Sequence, residues 1–278
     1  MKKLCVIGWP ISHSRSPLIH NYWIKKHGLE GSYEKHAIEP DSLQSFVENF
    51  RSSGFSGCNV TVPHKETIIP FLSIVDGEAK RLVAVNTLYL KNGELRGTNT
   101  DGEGFCAHLQ QSHPTFQIKG GRFVVLGAGG AAKAIIGSLL DQGAKEILLV
   151  NRSSLRASNI VDQFGAGIKY LGDMPSDDAL RSCDLLINTT SLGMRGQPPL
   201  NVNLDALNPQ SIVADIVYVP LETELLKQAK VRGNPILGGL GMLLHQAVRG
   251  FELWFGVRPE VTPELYDLVV ANLMKARA

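Results

Sequence analysis

An α/β fold of two domains is what this sequence predicts, and three observations predict it. The run Val124-Val-Leu-Gly127-Ala128-Gly129-Gly130-Ala131-Ala132 reads as a buried parallel strand, a tight turn and the start of a helix. Short apolar runs alternate with helix-period segments along most of the chain, the pattern of a parallel or mostly parallel sheet with helical crossovers. The segment from Leu240 onward is rich in helix formers and is expected to return to the first domain. The expected division is residues 1–101 with 240–278 for the first domain, and residues 102–239 for a doubly wound, Rossmann-like second domain.

Taken in order, Leu4–Ile7 is an apolar run and predicts the first strand. Pro17–Lys26 predicts a helix, with Pro17 at its first position and Ser16 as its cap. Gly31–Ile38 contains a strand. Asp41–Ser52 predicts an amphipathic helix, with Leu43, Phe46, Val47 and Phe50 on one side. Gly57–Val62 predicts a strand stopped by Pro63, and Leu82–Leu90 contains another, followed by the hairpin signal Asn92-Gly93. A turn at 97–102 leads into a helix over Gly102–Gln111, and Ser112–Thr115 reads as a linker. Beyond it, Ile147–Val150, Leu185–Asn188, Ile212–Asp215 and Pro235–Leu237 predict strands, and Leu226–Val231 a helix. Met242–Val248, Phe251–Phe255 and a segment from Thr262 or Pro263 predict the closing helices.

Bulk properties narrow the function. A chain of 278 residues, 44% of them apolar, can bury a large core. A net charge of +2, with 19% charged residues, gives no broad basic face, so neither nucleic acid nor membrane is an expected partner. No apolar run reaches the ~20 residues of a membrane span. The opening Met1–Gly8 is read as a strand rather than a leader, because its apolar run is short and Ser12–Ser16 is polar. Cys5, Cys58, Cys106 and Cys183 are far apart and predict reduced, mostly buried thiols in a cytoplasmic protein. The eight histidines show no metal-ligand spacing, so no metal is expected.

The glycine turn points to a dinucleotide. Gly127 permits the turn, Gly129 lets backbone N–H groups approach a diphosphate, and Ala132 keeps the helix close to the strand. The helix start over Gly127–Ala131 offers free N–H donors and partial positive charge. An NAD site usually has Asp or Glu at the end of the next strand; here Asn151, Arg152, Ser153 and Arg156 supply donors and positive charge instead. Two charge-assisted hydrogen bonds to a 2′-phosphate would favour NADP over NAD by roughly two to four orders of magnitude. NADP is therefore the expected cofactor.

Four polar segments stand where first-domain strands are expected to end: Ser14-Arg-Ser16, Asn59-Val-Thr61-Val-Pro-His-Lys65, Asn86-Thr87 and Thr98-Asn-Thr-Asp101. Ligands of open α/β sheets bind beyond strand carboxyl ends. A pocket of hydroxyls, amides, one ammonium and one carboxylate suits a small, polyhydroxylated anion. Lys65 is the ammonium of that set and Asp101 the carboxylate. Taken singly, each residue has a plainer reading: Ser16 as a cap, Asn59 as a backbone partner, Lys65 as a solvated lysine, Asp101 as a turn residue.

Together these segments resemble the shikimate dehydrogenase family. Ser14-Arg-Ser16, the run Asn59 to Lys65, Ala84-Val-Asn86-Thr, Asn99-Thr-Asp101-Gly-Glu-Gly104, Gly127–Ala131, Asn151-Arg-Ser-Ser-Leu-Arg156, Asn188–Met194, Asp215-Ile-Val-Tyr218 and Gly239–Gln246 follow the family's motifs in order. Ser153 stands where Thr is usual, and Val83 where Gly is common. The resemblance implies reversible, NADPH-dependent reduction of 3-dehydroshikimate to shikimate in aromatic amino-acid biosynthesis. It implies that Ser14 and Ser16 hold the substrate carboxylate, and that Thr61, Asn86, Asp101, Tyr218 and Gln246 surround the ring hydroxyls, with Asn59 in the same set. It implies Lys65 and Asp101 at the reacting carbonyl, and Ile216 and Gly239 among the cofactor contacts. A quinate/shikimate dehydrogenase of broader substrate and cofactor use is the alternative; a catalytically silent, DNA-regulating relative would lack Lys65 or Asp101. A monomer or a homodimer is expected, the homodimer ahead.

Overall fold

The computed structural model describes residues 1–275, which divide into two compact units, Met1–Thr100 with the chain from Leu244 onward, and Asp101–Leu243. In the first unit the order is β1 (Lys2–Gly8), α1 (Ser16–Lys26), β2 (Gly31–Ala37), α2 (Leu43–Glu48), β3 (Phe55–Val60), α3 (His64–Thr67), β4 (Ile74–Val75), α4 (Gly77–Leu82), β5 (Thr87–Lys91) and β6 (Glu94–Thr98). The second holds α5 (Asp101–Ser112), β7 (Arg122–Leu126), α6 (Gly130–Asp141), β8 (Glu146–Val150), α7 (Ser154–Phe164), β9 (Ile168–Tyr170), α8 (Asp177–Ser182), β10 (Leu185–Asn188), β11 (Ile212–Asp215), α9 (Glu224–Val231) and β12 (Ile236–Gly238). Helix α10 (Gly239–Phe255) begins in the second unit and ends in the first, followed by α11 (Pro263–Lys275).

In the second unit the sheet order is β12-β11-β10-β7-β8-β9, with every pairing parallel. That is the doubly wound order, whose direction reverses between β7 and β10. Apart from Arg122 at the start of β7, its central strands are fully buried, as parallel strands covered on both faces must be. Phe123 and Val125 pack with α6 on one face, and Val124 and Leu126 with α8 and α9 on the other.

The first unit departs from a parallel sheet. Its order is β2-β1-β3-β5-β6-β4, and β5 runs antiparallel to both neighbours. One face packs Cys5, Ile7, Leu43, Phe50 and Cys58. The other carries an aromatic stack of His20, Trp23, Tyr33, Phe251 and Trp254, with α10 docked against the strands. Trp254 Nε1 donates to Leu88 O at 2.8 Å, and a Cβ on Gly57 would lie 2.0 Å from that nitrogen. Gly57 is therefore what lets α10 lie this close.

Three local expectations change. Pro40 opens a 3₁₀ turn over Pro40–Ser42, so α2 starts only at Leu43. It stops at Glu48, where Asn49 Nδ2 joins the Asn49 N–H on Ser45 O and Ser52 Oγ bonds back to Asn49 O. Gly77–Leu82 is helical and Val83 left-handed, so the strand expected within Leu82–Leu90 begins only at Thr87. The cap of α1 is Arg15, not Ser16, and Ser14 Oγ accepts from Ser16 N–H at 3.3 Å. Helix α7 and strand β9 had no sequence expectation.

Candidate active site

The first unit gathers its polar segments at one sheet edge. Thr61 N–H donates to Ile7 O, which brings the ends of β1 and β3 together. Asn59 pairs with Thr87, and Thr87 with Thr98. Because β5 is antiparallel, Asn86 precedes its strand yet lies at the edge where β3 and β6 finish. The expectation that all four segments follow their strands therefore fails for Asn86-Thr87, and the antiparallel strand is why the segment still joins the others.

Buried amides tie this edge together. Asn86 Nδ2 donates to Thr100 Oγ1 at 3.0 Å, and its Oδ1 accepts from Thr100 N–H at 3.0 Å and Thr87 Oγ1 at 2.8 Å. Thr100 Oγ1 donates to Gln246 O at 2.8 Å, fixing α10 beside the edge and Gln246 with it. Asn59 is spent inside the fold: Oδ1 accepts from Tyr33 Oη at 2.6 Å, and Nδ2 donates to Asn86 O and Thr87 Oγ1. Its geometry is that of a brace behind Asn86. Lys65 stands in the short helix α3, held by Val85 N–H donating to Lys65 O at 2.8 Å. Ser14 and the buried Ser16 lie at the start of α1, their hydroxyls 3.3 Å apart.

Asp101 opens α5 in the second unit, in the first turn of the helix, where negative charge is favoured by the helix dipole. A Cβ on Gly102 would lie 2.3 Å from Ala134 O, so this glycine lets α5 pack against α6 and fixes the turn that carries Asp101.

At the sheet's reversal point a cavity of about 610 Å³ is lined by Gly127, Ala128, Gly129, Asn151, Arg152, Ser153 and Arg156 together with Thr189–Leu192. Gly127 has φ +110°, and a Cβ there would sit 2.6 Å from Thr189 Oγ1. A Cβ on Gly129 or Gly130 would meet nothing within 4 Å, so backbone N–H groups at the start of α6 are open to a ligand. Asn151 Nδ2 donates to Ser153 O, and Ser153 Oγ accepts from Arg156 N–H as the cap of α7. That capped turn presents Arg152 and Arg156, both exposed. The residues present fit a dinucleotide with a phosphorylated ribose: a glycine cradle for the diphosphate and two guanidiniums for the extra phosphate.

Gly130 and Ala131 form the first turn of α6 behind the cavity lining. Ile216 and Gly239 do not line this cavity; they meet one another past the ends of β11 and β12, where a Cβ on Gly239 would lie 2.2 Å from Ile216 O. Tyr218 follows on the same loop. The Thr189–Leu192 wall had no place among the expected site residues. Its position after β10, at the strand-order reversal, is the signal that locates it.

Family models match residues 6–88 as a shikimate dehydrogenase substrate binding domain, 109–194 as shikimate / quinate 5-dehydrogenase, and 239–263 as a shikimate 5′-dehydrogenase C-terminal domain. A curated relative from Nitrobacter hamburgensis, named shikimate dehydrogenase (NADP(+)), is 51% identical over 97% of this chain and 94% of its own. The Thermus thermophilus shikimate 5-dehydrogenase, solved with NADP(H) and shikimate, is 32% identical with a TM-score of 0.87, covering 98% of this chain and 99% of that one. A quinate dehydrogenase from Corynebacterium glutamicum, solved with NAD, is 28% identical with a TM-score of 0.89, covering 97% and 99%. On fold, motif order and likeness along nearly its whole length, this chain belongs to the shikimate dehydrogenase family.

Proposed function

We propose that this chain is an NADP-dependent shikimate dehydrogenase, catalysing the reversible reduction of 3-dehydroshikimate to shikimate. The observation that carries the cofactor half is the end of β8, where Asn151 replaces the usual carboxylate and Arg152 and Arg156 follow on a capped turn. The substrate half is supported by the hydrogen-bonded edge of Ser14, Ser16, Thr61, Asn86, Thr100 and Gln246. A polyhydroxylated acid can add hydrogen bonds to the hydroxyls and amides of this edge, which an apolar ligand cannot.

NADPH, when bound, supplies the hydride. The chain's own residues handle the proton and the orientation. Ser14 and Ser16 take the substrate carboxylate. Thr61, Asn86, Tyr218 and Gln246 fix the ring through its hydroxyls. Lys65 donates the proton that the ketone oxygen needs as charge develops on it, and recovers it in the reverse direction. Asp101, by the family resemblance, is the carboxylate that accepts from a ring hydroxyl.

The test is direct: purified protein with shikimate and NADP should raise absorbance at the NADPH wavelength, and a flat trace overturns the reading. Quinate with NAD in the same assay separates the broader quinate/shikimate activity, for which little turnover is expected. No helix among the described residues is long and apolar enough to cross a membrane. The four cysteines are buried and free, which supports a reducing cytoplasm as the compartment. A homodimer is the oligomeric state we infer from the resemblance, checked by sedimentation against a monomer.

A further inference from the structure

Asp215 ends β11 with its carboxylate 2% exposed, and it is not among the residues proposed above to touch ligand. Its three partners are all neutral donors. Asn188 Nδ2 and Val217 N–H both donate to Oδ1, at 2.9 and 3.0 Å, and Thr223 Oγ1 donates to Oδ2 at 2.7 Å. Asn188, fully buried at the end of β10, turns its Oδ1 to Thr190 N–H and Thr190 Oγ1, and Thr190 Oγ1 accepts from Leu192 N–H. One carboxylate thus grips two loops. Through Asn188 it reaches Thr189–Leu192, the wall of the dinucleotide cavity. Through Val217 N–H it sets the loop Ile216–Tyr218.

We propose that Asp215 is a positioning residue that holds the cofactor-cavity wall and the Tyr218 loop in one register. The inference rests on the reading that Tyr218 meets shikimate and that the cavity takes NADP. Desolvation pushes the Asp215 carboxyl up to about 6, although its three donors pull the other way. A buried charge of this kind lowers stability, which a role in packing alone gives no reason to retain.

Asn at this position keeps Oδ1 for Asn188 and Val217, and only reverses the bond with the Thr223 hydroxyl. Ala removes the grip. Wild-type turnover of shikimate with NADP is measured first; its absence would sink the functional reading and not this one. In active protein, Asp215→Ala is expected to raise both the NADPH dissociation constant, by fluorescence titration, and the shikimate KM by about tenfold or more. Asp215→Asn should restore both to within about threefold of wild type, a rescue that distinguishes hydrogen-bond geometry from charge. Asn188→Ala and Thr190→Val cut only the cavity arm, so they should weaken NADPH and leave the shikimate KM within about threefold. The proposal fails if Asp215→Ala lowers melting temperature but leaves both constants unchanged. Should Asp215→Ala not fold, Asn188→Ala and Thr190→Val decide: unchanged NADPH affinity in both overturns it.

Discussion

The two units build their sites in opposite ways. In the second unit the cofactor site is local: Gly127–Ala131 and Asn151–Arg156 are two consecutive strand-to-helix turns, the first shaped by glycines and the second capped by Ser153. In the first, the site edge is assembled from afar. Asn59, Asn86, Thr100 and Gln246 come from four separate segments and meet through hydrogen bonds such as Thr100 Oγ1 to Gln246 O. A local site should lose affinity one contact at a time. An assembled site should lose function when a brace goes, even one that never touches ligand.

The sharpest probe of that contrast is Lys65, a single group on the assembled edge. Lys65→Ala is expected to lower kcat by about two orders of magnitude or more, roughly 3 kcal/mol in the barrier, with a smaller change in shikimate KM. NADPH affinity should stay put, because the cradle and the arginines belong to the other unit. Near-wild-type kcat in steady-state assays would remove Lys65 from proton transfer.

Next in size is Arg152, the matching probe of the local site. Arg152→Ala should weaken NADP by about 10- to 100-fold and leave NAD nearly unchanged, since only the extra phosphate loses a partner. Equal losses for both dinucleotides, measured by titration, would place the guanidinium elsewhere.

The same contrast explains what the sequence could reveal. The glycine turn and the Asn-Arg-Ser strand end were legible because their chemistry lies within a few residues of chain. Ser14, Thr61, Lys65 and Asn86 were legible as polar interruptions after or before apolar runs. The antiparallel course of β5 was hidden, since strand direction is set by pairing partners and not by composition. The Asp215–Asn188 grip was hidden as well: a carboxylate at a strand end looks the same whether it faces solvent or is buried under three donors. The left-handed Val83 could be suspected only from a departure at a position where glycine is common.

A third comparison is set by acid. In the first unit, burial lowers His20 to about 3, outweighing the opposing pull of Asn59. Unfolded His20 takes a proton below its ordinary 6.5, whereas the folded ring stays neutral. Stability is therefore lost from pH 6.5 downward, about 3 kcal/mol by pH 4.5. In the second unit burial likewise lowers His108, to about 4, which costs a similar amount over that range. Asp215 acts with the opposite sign: its folded value, about 6, lies above the unfolded one, so protonation between pH 6 and 4 favours the fold by about 2 kcal/mol at pH 4.5. Ion pairs hold Glu252 in one unit and Glu146 in the other below the usual range, with Arg249 and Lys169 as the leading partners, so each unit loses one such contribution as its carboxylate protonates. The first unit should therefore unfold first as pH falls. All three tryptophans, Trp9, Trp23 and Trp254, lie in it, so their fluorescence should report a lower urea midpoint at pH 4.5 than far-ultraviolet circular dichroism does. Coincident midpoints at pH 4.5, after separate ones at pH 7, would reverse the assignment.

The smallest effect tests how each unit ends its helices. In the second, α6 and α7 run into left-handed Gly143 and Gly165, at φ +86° and +71°. In the first, α4 ends at Val83 with φ +53° and ψ +40°, a conformation that crowds Cβ against the backbone and is worse for a β-branched residue. The turn is held because Ala84 N–H donates to Ala79 O, and Val85 N–H to Lys65 O, beside the residue proposed to transfer the proton. Val83 is half exposed and contributes little burial that would offset the strain. Val83→Gly removes a cost of about 1–2 kcal/mol and adds about 0.5–1 kcal/mol of backbone entropy to the unfolded chain. The net expectation is a first unit more stable by up to about 1.5 kcal/mol, read by tryptophan fluorescence in urea, with the second unit unmoved. If kcat falls while stability rises, the strained valine is what holds α3 and Lys65 in place; if both stay level, the left-handed turn is tolerated at no measurable cost.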